Sequence, residues 1–153
     1  MADLIQFYAQ EPVWAVVGAS NDRRKYGNRI YRTLRSAGYT VYAINDHESQ
    51  VEGDTAYARL ADLPQIPTVV DMVIPPWNAQ SVVEEAVTLG VKALWFQPGA
   101  ENPAAIRWAK EQGLDVIEDC ILVHHVQQSA TTSPPPSLPQ IGGGAGSPKT
   151  KVR

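Results

Sequence analysis

The stretch Val13–Asn45, VWAVVGASNDRRKYGNRIYRTLRSAGYTVYAIN, reads as strand, turn, helix and strand. Its first five residues are a continuous apolar run, as expected of a strand covered on both faces. NRIYRTLRSAG then sets Ile30, Leu34 and Ala37 at helical spacing, and Gly38 suits the left-handed position beyond a helix end. YTVYAI is a second strand. A strand, a helix and a further apolar strand form the unit from which parallel sheets are built.

The same alternation continues to Ile117. After an irregular link through Gly53 and a helical turn at ARLADLP, TVVDMVI is the third strand. Asn78 is placed to cap the next helix, whose Val82, Val83, Ala86 and Val87 make one apolar stripe, and Gly90 ends it. VKALWF is the fourth strand, Asn102-Pro103 opens a helix that Gly113 closes, and LDVI is the fifth. This order predicts an α/β fold of three layers around a mostly parallel five-stranded sheet. Ligands of such sheets bind outside the carboxyl ends of the strands, where the strand order reverses. The segments to inspect are therefore Gly18-Ala19-Ser20, Asn45-Asp46, Pro75-Pro76-Trp77 and Gln97-Pro98-Gly99.

Composition sets the boundaries. The 153 residues allow one domain with a single core. Beyond Val126 the chain turns to Ser, Thr, Pro and Gly with almost no large apolar residue, so residues 1–126 are expected to fold and residues 127–153 to form a disordered tail. With 16 acidic and 13 basic residues the net charge is −3, which leaves no overall footprint for nucleic acid or anionic membrane. No apolar run approaches the roughly 20 residues of a membrane span, no signal-peptide pattern opens the chain, and the single Cys120 has no disulfide partner. A cytoplasmic protein is expected.

Gly18, directly after the first strand, permits a tight turn and close approach to a ligand. The dinucleotide fingerprint G-x-G-x-x-G would place further glycines where this chain has Ser20 and Arg23. The loop instead runs through Asn21 and Asp22 to a helix expected to start near Arg24 or Lys25. A phosphate there would meet backbone N–H groups, the Ser20 hydroxyl and the cations Arg23, Arg24 and Lys25; a plain turn with a solvated charge run is the alternative. The second strand ends in Asn45, where NAD sites carry an acid for the ribose, so a ligand richer in phosphate is favoured. NADP and coenzyme A both qualify. VIPPWNAQ supplies a stiff apolar wall on which Trp77 is placed to stack. Asp119, Cys120, His124 and His125 cluster after the last strand, but with only His47 left to complete a ligand set, neither a metal site nor a catalytic group is expected.

In combination, G-A-S after the first strand, Asn ending the second, V-x-P-P after the third and W-x-Q-P-G after the fourth resemble the stand-alone bacterial CoA-binding proteins. These are Rossmann-like proteins similar to the CoA-binding domain of succinyl-CoA synthetase α subunits and NDP-forming acyl-CoA synthetases. The resemblance covers residues 11–126. It implies that Gly18, Ala19 and Ser20 hold the diphosphate with Arg24 and Lys25 nearby, and that Asn45 lies by the adenosine end. It also implies that Ile74, Pro75 and Pro76 line the wall while Gln97 closes the pocket from the fourth strand. SNDRRKYG and INDH depart from the family's usual proline after G-A-S and Asn-Pro after the second strand.

The expected function is non-catalytic binding of coenzyme A or an acyl-CoA by a stand-alone module. An NADP-dependent oxidoreductase or its cofactor-binding subunit is the alternative, and a redox-interaction protein acting through Cys120 a third. Because nothing in residues 127–153 adds to a core, truncation after Gln128 should keep the melting temperature within about 2 °C in a thermal melt, whereas a loss above ~10 °C would show that the tail docks.

Overall fold

The apolar runs become neighbouring strands of one sheet in the computed structural model, which describes residues 2–123. The chain divides after Ile121, and the architecture is that of Met1–Ile121. In chain order the elements are α1 (Ala2–Tyr8), β1 (Val13–Val17), α2 (Tyr26–Ser36), β2 (Thr40–Ile44), β3 (Gln50–Val51) and β4 (Asp54–Tyr57). There follow β5 (Val69–Met72), α3 (Ala79–Leu89), β6 (Ala93–Phe96), α4 (Pro103–Glu111) and β7 (Asp115–Glu118), with 3-10 turns at Leu60–Asp62 and Pro76–Asn78. The sheet order is β3-β4-β2-β1-β5-β6-β7, and every pairing is parallel except β3 with β4. The strand order reverses at β1, which lies between β2 and β5.

Both faces of the sheet are buried, which is why its strands read as unbroken apolar runs. Ala15 and Val17 of β1, Val70 and Met72 of β5, and Leu94 and Phe96 of β6 share one face with Val83 and Ala86 of α3 and Ile106 and Ala109 of α4. Strand alternation turns Trp14, Val16 and Trp95 to the other face, where the two indoles lie 5.6 Å apart between ring centroids. Ile30, Tyr31 and Leu34 of α2 are buried, completing three layers. The Tyr8 hydroxyl donates to Asp115 Oδ2 at 2.6 Å, tying α1 to β7.

The α/β class, the mostly parallel sheet and the five expected strands stand. The count does not: there are seven strands, because the link through Gly53 is a hairpin whose second strand adds to β2. The two residues of β3 are too few to show a period, DTAY of β4 lacks the apolar run of the other strands, and the turn is built from Glu52 and Gly53 with φ of 51° and 83° rather than from Asn-Gly. The helix α1 also went unforeseen. One cap differs from expectation. α2 begins at Tyr26 with Lys25 at its N-cap, next to the expected start, after Asp22 Oδ1 turns the chain by accepting from Arg24 N at 3.0 Å. Asn78 closes a 3-10 turn and makes no side-chain cap, whereas Asn102 accepts from Ala105 N at 3.1 Å as expected. The boundary after Val126 and the tail 127–153 lie outside the described residues, and none of the described helices is long and apolar enough to cross a membrane.

The first turn is held by two glycines. A Cβ on Gly18, whose φ is 103°, would stand 2.2 Å from the Val73 carbonyl oxygen, and one on Gly27 would stand 2.0 Å from that of Gly18. Gly27 thus does the third fingerprint glycine's work of letting helix and strand pack closely. Gly27→Ala should cost about 1–3 kcal/mol or more, since backbone must move to admit the methyl. At Gly90, where φ is 86° and no atom lies within 4 Å of the added Cβ, alanine adds only left-handed strain, about 1–2 kcal/mol. Urea midpoints should rank wild type above Gly90→Ala above Gly27→Ala.

Candidate functional site

Where the strand order reverses, the carboxyl ends of β1 and β2 open into a cleft of about 770 Å³. Its floor is Val17, Gly18, Ile44 and Asn45, with Ile74 entering from the end of β5. One wall is Ala58–Ala61, which runs into the 3-10 turn Leu60–Asp62, and the other is the outer face of α3, with Ser81, Val82, Glu85 and Leu89. The volume is that of an ordinary small-molecule site, and its lining mixes apolar side chains with polar and charged ones.

Hydrogen bonds lock the floor. Gly18 N donates to Ile44 O at 3.1 Å and Asn45 N to Tyr57 O at 2.9 Å. The Asn45 side chain donates to Ala19 O at 2.8 Å and accepts from His47 N at 2.7 Å and Glu48 N at 2.9 Å. An aspartate there could not donate to Ala19 O, so Asn45 is the residue type that joins the two turns.

The three cations after the turn stand elsewhere. Arg23 pairs with Glu52 at 2.6 Å and Arg24 with Asp22 at 2.9 Å, and none of Arg23, Arg24 and Lys25 lines the cleft. Asn28, fully buried, donates to Ser20 O at 2.7 Å and to Glu52 Oε2 at 2.8 Å. The Arg23 guanidinium and the Asn28 amide hold the Glu52 carboxyl down at about 2, and Arg24 does the same for Asp22. Ser20 Oγ accepts from Asp22 N at 3.0 Å. The loop is thus closed on itself and on the hairpin tip. Of the sequence-based site residues, the structure brings Gly18, Asn45 and Ile74 together in the cleft, with Ala19 buried beneath.

Gln97 lies inside the protein, 3% exposed. Its Nε2 donates to Asp71 Oδ1 at 2.7 Å and its Oε1 accepts from Ile121 N at 3.3 Å. Asp71 is fully buried in β5 between Val16 and Trp95, and its Oδ2 has no partner among the described residues. Burial pushes its carboxyl up to about 8, against the opposing pull of Gln97. Pro76 O accepts from Asn102 Nδ2 at 2.8 Å, Pro75 is exposed, and Trp77 projects into solvent, 80% exposed. Cys120 is half-buried, and its N–H donates to Asp119 Oδ1 at 2.7 Å; His124 and His125 lie outside the described residues. No group of three or more His, Cys, Asp or Glu among the described residues is placed to hold a metal ion.

Sequence reading missed Gly27, Asn28, Glu52 and Arg59. For Gly27 a signal existed, a glycine in the first turn of a helix with no turn to make. The other three carry none, because each meets a charged partner that lies 24 to 29 residues away in sequence.

Comparison with known proteins gives consistent results. The sequence profile of a family described as "CoA binding domain" matches residues 12–126. Subunit α of ADP-forming acetate–CoA ligase II from Pyrococcus furiosus is 32% identical over 81 residues, 52% of this chain and 18% of that one. The uncharacterized protein YneT of Bacillus subtilis is 28% identical over 112 residues, 72% of this chain and 83% of that one. Among solved structures, a hypothetical protein from Pyrococcus horikoshii OT3 superposes with a TM-score of 0.80 at 29% identity, covering 83% of this chain and 91% of its own. The chain thus spans less than a fifth of the ligase subunit and most of the two others.

The buried carboxyl makes stability depend on pH. The folded chain keeps the Asp71 proton up to about 8, while the unfolded chain releases it near 3.8. Between these values the folded state binds one proton more, so stability falls as pH rises, by up to ~1.4 kcal/mol per pH unit. Asp71→Asn cannot ionise. Its urea midpoint should fall less than that of wild type between pH 5 and pH 8, and it should be the more stable protein at pH 8; equal slopes would refute the assignment.

Proposed function

The chain belongs to the CoA binding domain family, and from that premise we propose that its cleft holds coenzyme A, free or acylated, and that the protein binds this ligand without transforming it. The observation that carries the reading is the position of the cleft, at the reversal of strand order and around Gly18, which offers backbone where any other residue would offer a side chain. The residues present fit the group. Ile44, Ile74, Val82 and Leu89 give apolar surface for an adenine face or a pantetheine arm, with Gly18 and Asn45 lining the cleft beside them. When bound, coenzyme A supplies a thiol that carries acyl groups as thioesters. Pro75 and Pro76 stiffen the chain just beyond Ile74, and Gln97 supports the sheet end from within.

Titration calorimetry tests this. Coenzyme A should bind wild type more tightly than NADP or NAD. Ser81 stands on the exposed face of α3 and lines the cleft, so Ser81→Trp should fill the cleft without touching the core. It should weaken coenzyme A about tenfold or more, a loss of ~1.4 kcal/mol, at an unchanged melting temperature. Tighter binding of NADP would move the reading to a dinucleotide protein, and binding unaffected by Ser81→Trp would place the ligand elsewhere.

A further inference from the structure

Arg59 is the one Lys or Arg in the wall of the cleft among the described residues, and it shares that cleft with three acids, Asp46, Glu84 and Glu85. Any ligand with several phosphates must overcome that acidity with little help from Arg23 and Arg24, whose charges are matched by Glu52 and Asp22 outside the cleft. Arg59 is matched as well, but differently. Its Nε and a terminal nitrogen both reach the same oxygen of Glu85 at 3.1 Å, longer than the roughly 2.7–2.9 Å of a strong charge-assisted pair and without the parallel two-oxygen fork. Glu85 does not depend on it, since its carboxylate also accepts from Leu60 N at 3.2 Å and Ala61 N at 3.3 Å. The Arg59 side chain is 67% exposed, that of Glu85 19%. The pair therefore consists of an anchored acid and a cation free to turn toward the cleft.

Position says what that cation would meet. Arg59 shares the cleft with Asn45, Asp46 and His47, the residues just past the end of β2. In doubly wound sheets that strand end meets the adenosine ribose, and an arginine near it accommodates a phosphate on the ribose. Its planar guanidinium donates to two phosphate oxygens at once.

We propose that Arg59 reads a phosphate monoester on the ribose of the bound ligand, exchanging its contact with Glu85 for one with the phosphate. This rests on the cleft being the nucleotide site proposed above. The shared chemistry belongs to the 3′-phosphate of coenzyme A and to the 2′-phosphate of NADP.

Calorimetry with coenzyme A, dephospho-CoA, NADP and NAD separates the cases. Wild type should bind coenzyme A about tenfold to a hundredfold more tightly than dephospho-CoA, as a charged hydrogen bond contributes roughly 1.5–3 kcal/mol, and salt should narrow the gap. Arg59→Ala should close most of the gap, by weakening coenzyme A and leaving dephospho-CoA unchanged, and Arg59→Lys should restore part of it. Glu85→Gln, with a weaker hold on Arg59 and one acid fewer, should tighten coenzyme A severalfold. Arg24→Ala with Lys25→Ala should leave the gap in place. A gap that survives Arg59→Ala overturns the inference while leaving coenzyme A binding intact, and so does a gap closed by the Arg24 and Lys25 pair alone. A gap found only between NADP and NAD, and closed by Arg59→Ala, would support the role of Arg59 and overturn the coenzyme A reading. Binding of none of the four overturns both.

Discussion

The close approach of α2 to the first turn is the constraint on which the rest depends. Gly27 sits so near the Gly18 carbonyl that a Cβ would fall 2.0 Å from it, and Gly18 in turn has the Val73 carbonyl where its own Cβ would be. Two missing methyl groups thus set the distance between β1, the turn and the helix. That distance brings Asn28, one residue into the helix from Gly27, within 2.7 Å of Ser20 O. It also brings the hairpin tip at Glu52 against the loop, closing the turn on all sides.

Charge is organised locally rather than by the net −3 of the chain. Glu52 gathers Arg23 and Asn28, Asp54 gathers Arg35 and the Tyr31 hydroxyl, and Asp22 gathers Arg24. These pairs stiffen the side of the sheet that carries α2. Largely solvated ion pairs contribute little to stability. Their value is geometric, since they hold a long loop in a single shape beside the cleft.

Inside the sheet the opposite economy holds. Asp71 occupies a strand position that Val or Ile would fill more favourably, with Gln97 as its one hydrogen-bond partner and an oxygen left without one among the described residues. A neutral carboxyl resolves the conflict, because burial disfavours the charged form. The Gln97 amide then extends the link to Ile121, so that the ends of β5 and β6 and the chain after β7 are joined by polar contacts within an apolar layer.

Sequence alone determined the layers. Continuous apolar runs alternating with helical spacing allow little besides a parallel sheet covered on both faces, and Gly18 and Asn45 were legible as strand-end residues because each follows such a run directly, whereas Ile74 entered only with the family resemblance. The combination of short motifs pointed to the same family that comparison identifies. What sequence could not decide was the partner of each charge. Three consecutive cations after Gly18 suggested a phosphate site, yet Glu52, reached through a two-residue turn 29 residues on, takes the first, and Asp22 the second. Likewise Gln97 at a strand end pointed to the ligand, while the buried carboxyl that claims it stands on the neighbouring strand 26 residues earlier. Local pattern follows from the chain's own geometry, in which residues a few positions apart must share a face or a turn. Charge pairing and the lining of the cleft are set by which strands become neighbours, and that was decided only when the sheet assembled.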